Sequence, residues 1–224
     1  MTLVTEPYSS QNTRWPRSGQ HILAQFTESA VVVYQAYAPA IGHFAARHKR
    51  FGGEFSLNRM SWIKPNFLWM MYRSGWGEKA AQEVTLAVWL QRAAFDELLR
   101  QAVASTFTPL LYPDEGAWKR AVAHSSVRLQ WDPDHTPAGG AVQRRALQLG
   151  LRGDVLAWYA RDWLLDIEDI SDFVAEQRQV GRTGQYDRLV TPREESYPVR
   201  DRETAERIGV THGVEPAQGD SSAV

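Results

Sequence analysis

Two runs in which polar and apolar residues alternate decide the fold: SVRLQW at Ser126–Trp131 and RRALQLGL at Arg144–Leu151. A period of two places successive side chains on opposite faces of a β-strand. The first run stops at Asp132-Pro133, and a segment rich in Pro and Gly (137–140) follows, as in a turn. The two runs therefore predict a β-hairpin, and with it an antiparallel sheet.

Further strands and helices are interspersed on both sides of this hairpin. β-Branched and aromatic residues predict strands at Ala30–Tyr37, Glu83–Leu90 and Trp163–Ile170. Apolar spacing and helix start signals predict helices at Pro39–Lys49, Arg92–Val103, Asp114–Ala123 and Gly153–Arg161. The strands mostly lack the spacing of βαβ units, so the sequence indicates an α+β fold with a mainly antiparallel sheet.

The composition is that of an ordinary globular protein. Of 224 residues, 43% are hydrophobic and 23% are charged, and the net charge of −1 gives no overall attraction to nucleic acid or anionic membrane. The absence of cysteine excludes disulfides, thiolate nucleophiles and cysteine-ligated metals. No run approaches about 18 apolar residues, and the amino terminus lacks a secretory signal. We therefore expect a cytoplasmic protein without a membrane span.

Three regions are expected along the chain. Residues 1–29 are polar and contain Pro7 and Pro16, which indicates an irregular arm that Trp15 could tie down. Residues 30–180 contain the predicted strands and helices and are expected to form a single α+β domain. Residues 181–224 contain few aliphatic side chains, which indicates a largely irregular tail.

The segment with the most chemical potential is RMSWIKPNFLWMMYRSGW at Arg59–Trp76. It interleaves Arg59, Lys64 and Arg73 with aromatic rings, and an unpaired cation is costly to bury in a core. Such a mixture suits a flat anionic ligand, because rings stack on a base while cations bind phosphates. The alternative is a core segment whose cations extend to solvent. Its core residues would then be Trp62, Phe67, Trp69 and Met70.

Basic residues are concentrated around this segment. Between His43 and Arg73 there are six Lys or Arg residues and one acid, Glu54. A local surplus of positive charge in a nearly neutral protein attracts phosphate groups. A solvated basic helix end at residues 47–50, with unrelated cations further along the chain, would explain the same count.

A second set of polar residues lies on and beside the predicted strand at 126–131. Arg128, Gln130 and Asp132 are two residues apart and would project from one face of the sheet. This pattern suits the wall of a cleft that presents an amide and a carboxylate. It is equally the pattern of an ordinary sheet with one wet face, and an Asp before Pro133 is also a common turn former.

Several other chemistries lack their motifs. The six histidines form no HExxH or His-x-His pattern and have no carboxylate cluster at ligand spacing, so no metal site is expected. His135 is expected to be an exposed loop residue. The absence of GxGxxG, GxxxxGK[ST] and GxSxG disfavours Rossmann, P-loop and α/β-hydrolase chemistry.

Four motifs together resemble the bacterial and fungal family known as domain-of-unknown-function family 4291. They are VYQAY (Val33–Tyr37), the segment Arg59–Trp76, VRLQWDP (Val127–Pro133) and RRALQLGL (Arg144–Leu151), so the resemblance covers about residues 30–175. This family is in turn similar to the ADP-ribosyltransferase superfamily, which implies a split antiparallel sheet with flanking helices. It also implies cleavage of the nicotinamide glycosidic bond of NAD and transfer of ADP-ribose to an acceptor.

The resemblance also implies roles for individual residues. Asp132 would stabilise the ribosyl cation and Gln130 would orient the ribose or the acceptor, because Gln130-Trp131-Asp132 is similar to the superfamily's Gln-x-Glu pair. Asp132 is shorter than the superfamily's Glu. Gln35 and Tyr37 would hold nicotinamide, where the superfamily has His or Arg. The rest of the expected NAD site consists of Arg59, Lys64 and Arg73 at the diphosphate and Trp69 or Tyr72 as the stacking ring.

Three hypotheses about function follow from these patterns. The leading one is an NAD-binding ADP-ribosyltransferase-like enzyme with a macromolecular acceptor, for which nucleic acid is one candidate. The alternative is a non-catalytic nucleotide- or nucleic-acid-binding module that uses the same basic, aromatic segment. The third makes residues 62–76 a core segment, and it predicts Arg59 and Lys64 at the surface, in scattered salt bridges, with no cleft between them.

Overall fold

A computed structural model describes residues 1–211 of the chain. Within this range the strands are β1 (Thr5–Pro7), β2 (Gly19–Gln20), β3 (Leu23–Ala24), β4 (Ala30–Tyr37), β5 (Ser61–Ile63), β6 (Val84–Gln91), β7 (Val103–Ala104), β8 (Val127–His135), β9 (Ala141–Leu151), β10 (Leu164–Asp169), β11 (Val190–Pro192) and β12 (Glu195–Ser196). The helices are α1 (Tyr8–Arg14), α2 (Pro39–His48), α3 (Phe67–Ser74), α4 (Arg92–Gln101), α5 (Glu115–His124), α6 (Gly153–Arg161), α7 (Ser171–Arg182) and α8 (Arg202–Ile208). The predicted α+β class is confirmed.

The first sheet has three antiparallel strands in the order β10-β6-β4. Strands β4 and β6 are rich in β-branched and aromatic residues, which suit a pleated sheet that is covered on both faces. In β4, Val31 and Val33 belong to one core cluster, while Val32 and Tyr34 belong to a second. Because side chains alternate along a strand, this sheet separates two apolar cores.

The second sheet contains the hairpin that the sequence predicts. Strands β8 and β9 pair antiparallel, β2 and β7 add in parallel at the two edges, and β5 also pairs with β9. Val127 and Leu129 are buried, whereas Arg128 and Gln130 are only partly covered. The alternation seen in the sequence therefore reflects a sheet with one apolar and one polar face.

The predicted end of β8 was wrong, because the strand continues through Asp132 and Pro133 to His135. Pro133 lies opposite Arg145, and the register shifts between Pro133 and His135. A proline has no N–H for the ladder, and a local irregularity of this kind accommodates it. Asp132 is therefore a strand residue and not a turn residue.

A short backbone contact joins the two sheets. Tyr34 in β4 and Lys64, directly after β5, exchange both backbone hydrogen bonds, with N···O distances of 2.7 Å and 3.3 Å. Because β5 also pairs with β9, this contact connects the first sheet to the second. Asn66 then caps α3, since its side chain accepts a hydrogen bond of 2.7 Å from the Trp69 amide.

Residues 1–29 differ from the irregular arm that the sequence predicts, because they form β1, α1, β2 and β3. Strand β1 pairs with β11, and the Gln11 side chain donates to Thr191 and accepts from the Glu194 amide. Trp15 is 5% exposed and donates to the Glu194 carbonyl oxygen at 2.9 Å. Strands of two or three residues are too short to show a period, so the sequence does not reveal them.

Residues 181–211 also form regular structure, in contrast to the predicted irregular tail. Glu194 in this region is 2% exposed, and its carboxylate accepts from the Phe67 amide at 2.6 Å and from the Asn66 side chain at 3.1 Å. Burial raises the pKa of this carboxyl group. Glu194 therefore stabilises the start of α3 through hydrogen bonds. The rest of the predicted tail, residues 212–224, lies outside the described residues.

The other predicted elements are confirmed within a few residues. Strand β4 has the predicted bounds, and the predicted strands and helices at β6, α2, α4, α5, α6 and β10 are all present. Within residues 1–211, no helix is both long enough and apolar enough to cross a bilayer.

A buried ion pair fixes the hairpin to the amino-terminal region. Arg144 in β9 and Asp134 in β8 are 5% and 1% exposed, and the Arg144 Nε donates to Asp134 Oδ2 at 2.8 Å. Arg144 also donates to the Pro16 carbonyl oxygen at 2.6 Å, and its guanidinium lies 5.3 Å from the centre of the Trp15 ring. The pair therefore holds residues 15–16 against the second sheet.

We expect Arg144→Met to lower the free energy of unfolding by about 3–5 kcal/mol, because Asp134 would keep a buried charge without a partner. Urea denaturation at neutral pH measures the change. The matched control is Arg145→Met, since Arg145 is the exposed neighbour on the same strand and should change stability by less than about 1 kcal/mol. Equal losses in the two variants would contradict the role given to the ion pair.

Candidate functional site

A cleft opens beside the backbone contact that joins the two sheets. Its volume is about 620 Å³, within the range of about 300–1,000 Å³ that is usual for small-molecule sites. Its walls come from the end of β4, residues 54–64, α3, residues 80–82 and the β8–β9 hairpin. The predicted site residues that line it are Gln35, Tyr37, Arg59, Lys64, Arg73 and Gln130.

Lys64 is the central charged residue of the cleft. It is only 4% exposed, yet its ammonium group has no hydrogen bond or ion pair to any of residues 1–211. Its pKa is lowered from 10.5 to about 8, mainly by burial and then by the positive charge of Arg73, while Asp132 acts in the opposite direction. A buried cation without a partner destabilises a fold, so Lys64 makes this cleft the candidate site of the protein.

Two arginines extend the positive charge of the cleft toward solvent. Arg59 and Arg73 are exposed and line the same cavity, and neither forms an ion pair with another residue of the described chain. Among the lining residues that the structure describes, Glu54 is the one acid. The cleft therefore has a surplus of positive charge, as a binding site for an anion does.

Gln35 and Tyr37 form part of the wall but are already paired with each other. The Gln35 amide nitrogen donates to the Tyr37 hydroxyl at 2.7 Å and to Ser61 Oγ at 3.0 Å, and its oxygen accepts from the Tyr159 hydroxyl at 2.5 Å. Burial raises the pKa of both tyrosines, so both remain neutral phenols at physiological pH. This network joins β4, β5 and α6, and it occupies the Gln35 groups that were expected to hold nicotinamide.

The hairpin contributes a pair of amides to the cleft. Gln148 donates to Gln130 Oε1 at 2.8 Å and to Asp132 Oδ2 at 2.6 Å. Gln130 and Gln148 line the cavity, whereas Asp132 lies beside it, and partial burial raises the pKa of its carboxyl group. Sequence reasoning missed Gln148, because only the register of the hairpin places it opposite Gln130.

Trp69 and Tyr72 do not line the cleft, although a stacking role was expected for them. They pack on His135, with ring centroids 5.3 Å and 3.5 Å from the imidazole and nearly parallel planes. Trp69 is 8% exposed and Tyr72 is 44% exposed. His135 is 6% exposed at the end of β8, so the expectation of an exposed loop histidine was wrong.

The position of Lys64 decides against the third sequence hypothesis. That hypothesis requires Arg59 and Lys64 to lie in scattered surface salt bridges with no cleft between them, but both line one cavity and Lys64 is buried. The core interpretation is nevertheless correct for Phe67, Met70 and Trp69, which are buried. The segment therefore packs Phe67 and Trp69 into the core and presents its cations to the cleft.

The polar groups of the cleft are amides, hydroxyls, cations and the carboxylate of Glu54. Among residues 1–211, no three His, Asp or Glu side chains converge in a way that could hold a metal ion.

The family model described as Domain of unknown function (DUF4291) matches residues 21–197. The match extends beyond the motif-based resemblance at both ends, and it includes Glu194, which seals α3. It also includes every residue that lines the cleft. No curated protein is matched by this sequence.

We expect Lys64→Met to raise the free energy of unfolding at pH 7, because it removes an unpaired buried charge and keeps an apolar stem. The difference between a pKa of about 8 and the ordinary 10.5 sets an upper bound of about 3 kcal/mol on the gain. Urea denaturation measures it. The matched control is Lys49→Met, since Lys49 is more than half exposed, pairs with Asp166 at 2.9 Å and should contribute less than about 1 kcal/mol.

The increase in the free energy of unfolding expected for Lys64→Met depends on pH. Below about pH 8 Lys64 is protonated in both the folded and the unfolded state, so the full cost of burying the charge is present. Between about 8 and 10.5 the folded state releases its proton first and the cost declines. The advantage of Lys64→Met should therefore shrink over this range. A variant that is less stable than the wild type at pH 7 would show that the charge is compensated.

Proposed function

Because the chain belongs to this family of unknown function, its activity has to be inferred from its own cleft, and we propose that the cleft binds a phosphate-bearing nucleotide with NAD as the first candidate. We propose further that the protein cleaves the nicotinamide glycosidic bond and transfers ADP-ribose to a macromolecular acceptor, for which nucleic acid is one candidate. The binding step is supported by the geometry and charge of the cleft. The transfer step rests in addition on the resemblance to the ADP-ribosyltransferase superfamily described above.

The observation that carries the proposal is the unpaired charge of Lys64. A lysine that is 4% exposed and lacks a described ion-pair partner is stabilised when an anion enters the cavity. Arg59 and Arg73 line the same cavity, so two or three cations could act together on one ligand. A diphosphate carries the charge and the number of acceptor oxygens that such a set of donors requires.

The amides of the hairpin support the choice of nicotinamide. Within the described part of the chain, the Gln130 amide nitrogen and the Gln148 amide oxygen have no hydrogen-bond partner, and both residues line the cavity. One free donor and one free acceptor complement a carboxamide, which has one of each. These two residues replace Gln35 and Tyr37, whose groups hold the wall together, as the proposed partners of nicotinamide.

Asp132 provides the proposed catalytic carboxylate of the transfer step. NAD would supply the glycosidic bond whose cleavage releases nicotinamide and leaves positive charge on the ribose. A carboxylate near that carbon stabilises the charge, and the Gln148 amide, at 2.6 Å from Asp132 Oδ2, fixes its orientation. In the proposed arrangement Trp69 and Tyr72 take no part in NAD binding, since their rings stack on His135.

The fold-level part of the proposal is an ADP-ribosyltransferase-like split sheet. Support for it comes from the three-stranded and five-stranded sheets, which are separate and mainly antiparallel, and from a cleft beside the contact that joins them. This support concerns the arrangement of strands, and the activity depends on the residues of the cleft.

A second candidate function is favoured by the exposure of Tyr72. Its ring is 44% exposed, Arg73 follows it in α3, and Lys79 Nζ lies 6.0 Å from the ring centroid. An exposed ring between cations suits a stacked base with its backbone phosphates. The alternative is therefore a non-catalytic nucleotide- or nucleic-acid-binding module in which a bound nucleic-acid strand would run from Tyr72 into the cleft.

We expect NAD to bind saturably and expect Arg59→Ala and Arg73→Ala each to weaken binding about 10- to 100-fold, the effect of losing one charge-assisted hydrogen bond. Isothermal titration calorimetry measures the dissociation constants. Arg50→Ala is the matched control, because Arg50 is an exposed arginine outside the cleft and its loss should leave binding unchanged.

The same proteins should be tested with a single-stranded oligonucleotide at two salt concentrations. Absence of NAD binding up to millimolar concentration would overturn the proposal that NAD is the ligand. Salt-dependent oligonucleotide binding that Arg73→Ala weakens would then favour the second candidate. Equal loss of binding in Arg50→Ala would show that general surface charge, and not the cleft, is responsible.

We expect Asp132→Asn to reduce nicotinamide release from NAD by at least about 100-fold, because the amide lacks the charge that stabilises the ribosyl cation. NAD affinity and the thermal unfolding curve should change little, since Asn is isosteric with Asp. Nicotinamide release measured by chromatography is the readout. Gln148→Glu is a useful companion, because it places a like charge beside Asp132 and should also slow release. Full activity in Asp132→Asn would remove this residue from the mechanism.

A further inference from the structure

The amine of Lys64 has the surroundings of a nucleophile as well as those of an anion-binding cation. Its side chain is 4% exposed and lies in the cavity wall with Met70 and Trp62, so few water molecules solvate its charge. No described side chain forms a hydrogen bond with its Nζ, so no donor occupies the lone pair of the neutral amine. Desolvation next to another cation is one of the ways in which proteins activate a lysine.

The charged groups around Lys64 include some that lower its pKa and others that raise it. Arg73 on α3 favours the neutral amine, while Asp132 on β8 favours the charged form. Arg59 and Glu54 line the same cavity. Burial is the largest influence, and together with Arg73 and Asp132 it brings the pKa of Lys64 to about 8. A substantial fraction of the amine is therefore neutral just above physiological pH, where exposed lysines remain charged.

The backbone at Lys64 is held rigidly, which favours attack from one direction. Both its N–H and its carbonyl group are bonded to Tyr34, and buried Pro65 follows. Arg59 and Arg73 lie at the exposed part of the same cavity. A ligand that carries both a phosphate and a carbonyl group could therefore bind the arginines through the phosphate and present its carbonyl carbon to the amine.

We propose that Lys64 is a nucleophilic residue that forms an imine with phosphate-bearing aldehydes which enter the cleft. The neutral Nζ attacks the aldehyde carbon with its lone pair, and the carbonyl oxygen takes up a proton to give a carbinolamine. Loss of this oxygen as water forms the C=N bond, and both amine hydrogens leave with the water. No oxidant or reductant is consumed, and water is the only other product.

This inference rests on the anion-binding role proposed for the cleft, but it requires neither NAD nor glycosidic cleavage. The two can fail separately. Imine formation without NAD binding would leave the nucleophile in place and remove the NAD proposal. NAD binding without imine formation at Lys64 would remove the present inference alone.

The test is reductive trapping with pyridoxal 5′-phosphate followed by sodium borohydride, with the labelled peptides identified by mass spectrometry. The chain has four lysines, at positions 49, 64, 79 and 119. We expect Lys64 to be labelled at least about tenfold faster than the other three at pH 7.5. Its labelling rate should rise through about pH 8, well below the range in which ordinary lysines lose their protons.

Two variants separate the role of Lys64 from general reactivity. Lys64→Arg keeps the positive charge but cannot form an imine, so the rapid labelling at position 64 should disappear. Replacing Lys49, Lys79 and Lys119 together with Arg should keep it, and this variant does not alter the cleft. It also keeps the test valid if Lys64→Arg does not fold.

The aldehyde class is tested with pyridoxal, which lacks the phosphate, and with inorganic phosphate as a competitor. We expect pyridoxal to label Lys64 at least about tenfold more slowly, and phosphate to protect it from pyridoxal 5′-phosphate. Equal labelling by the two aldehydes would overturn the requirement for a phosphate. Label distributed evenly over the four lysines, or absent from Lys64, would overturn the inference as a whole.

Discussion

The two backbone hydrogen bonds between Tyr34 and Lys64 are the contact on which the rest of the site depends. They connect the three-stranded sheet to β5 and, through β5, to the hairpin. They also fix the backbone of the one lysine that the cleft buries. The position of the charge is therefore set by main-chain groups, so it does not depend on the conformation of a surface loop.

Three Lys or Arg side chains are buried in residues 1–211, at positions 64, 92 and 144, and two of them, Lys64 and Arg144, have opposite surroundings. Arg144 is paired with Asp134 and bonded to Pro16, so its charge is compensated inside the protein. Lys64 is buried to a similar degree but has no described partner. A fold that can neutralise one charge so completely is able to neutralise another, which makes the isolation of Lys64 a property of the site. The unpaired charge of Lys64 lowers the stability of the fold, and an anion bound beside it would recover part of that stability.

The sequence predicted the parts of this structure that depend on local pattern. β4, the hairpin and four of the eight described helices have clear periods, and Lys64 attracts attention because cations rarely sit among aromatic residues. Gln148 required the strand register, and the stacking of Trp69 and Tyr72 required His135, which is more than sixty residues away. The ends of the chain escaped prediction because their strands are very short and pair with distant partners.

Glu194 has a consequence for the biosynthesis of the protein. Its carboxylate seals the start of the helix that carries Arg73, and its backbone bonds to Gln11 and Trp15, more than 170 positions earlier in the chain. The first 194 residues must therefore leave the ribosome before this helix has its final cap. Until then the strands of both sheets would lack their contacts with the segment around Glu194. Chaperones commonly bind such incompletely packed chains. Folding of the cleft is in this sense a late event of translation, governed by contacts of long sequence separation.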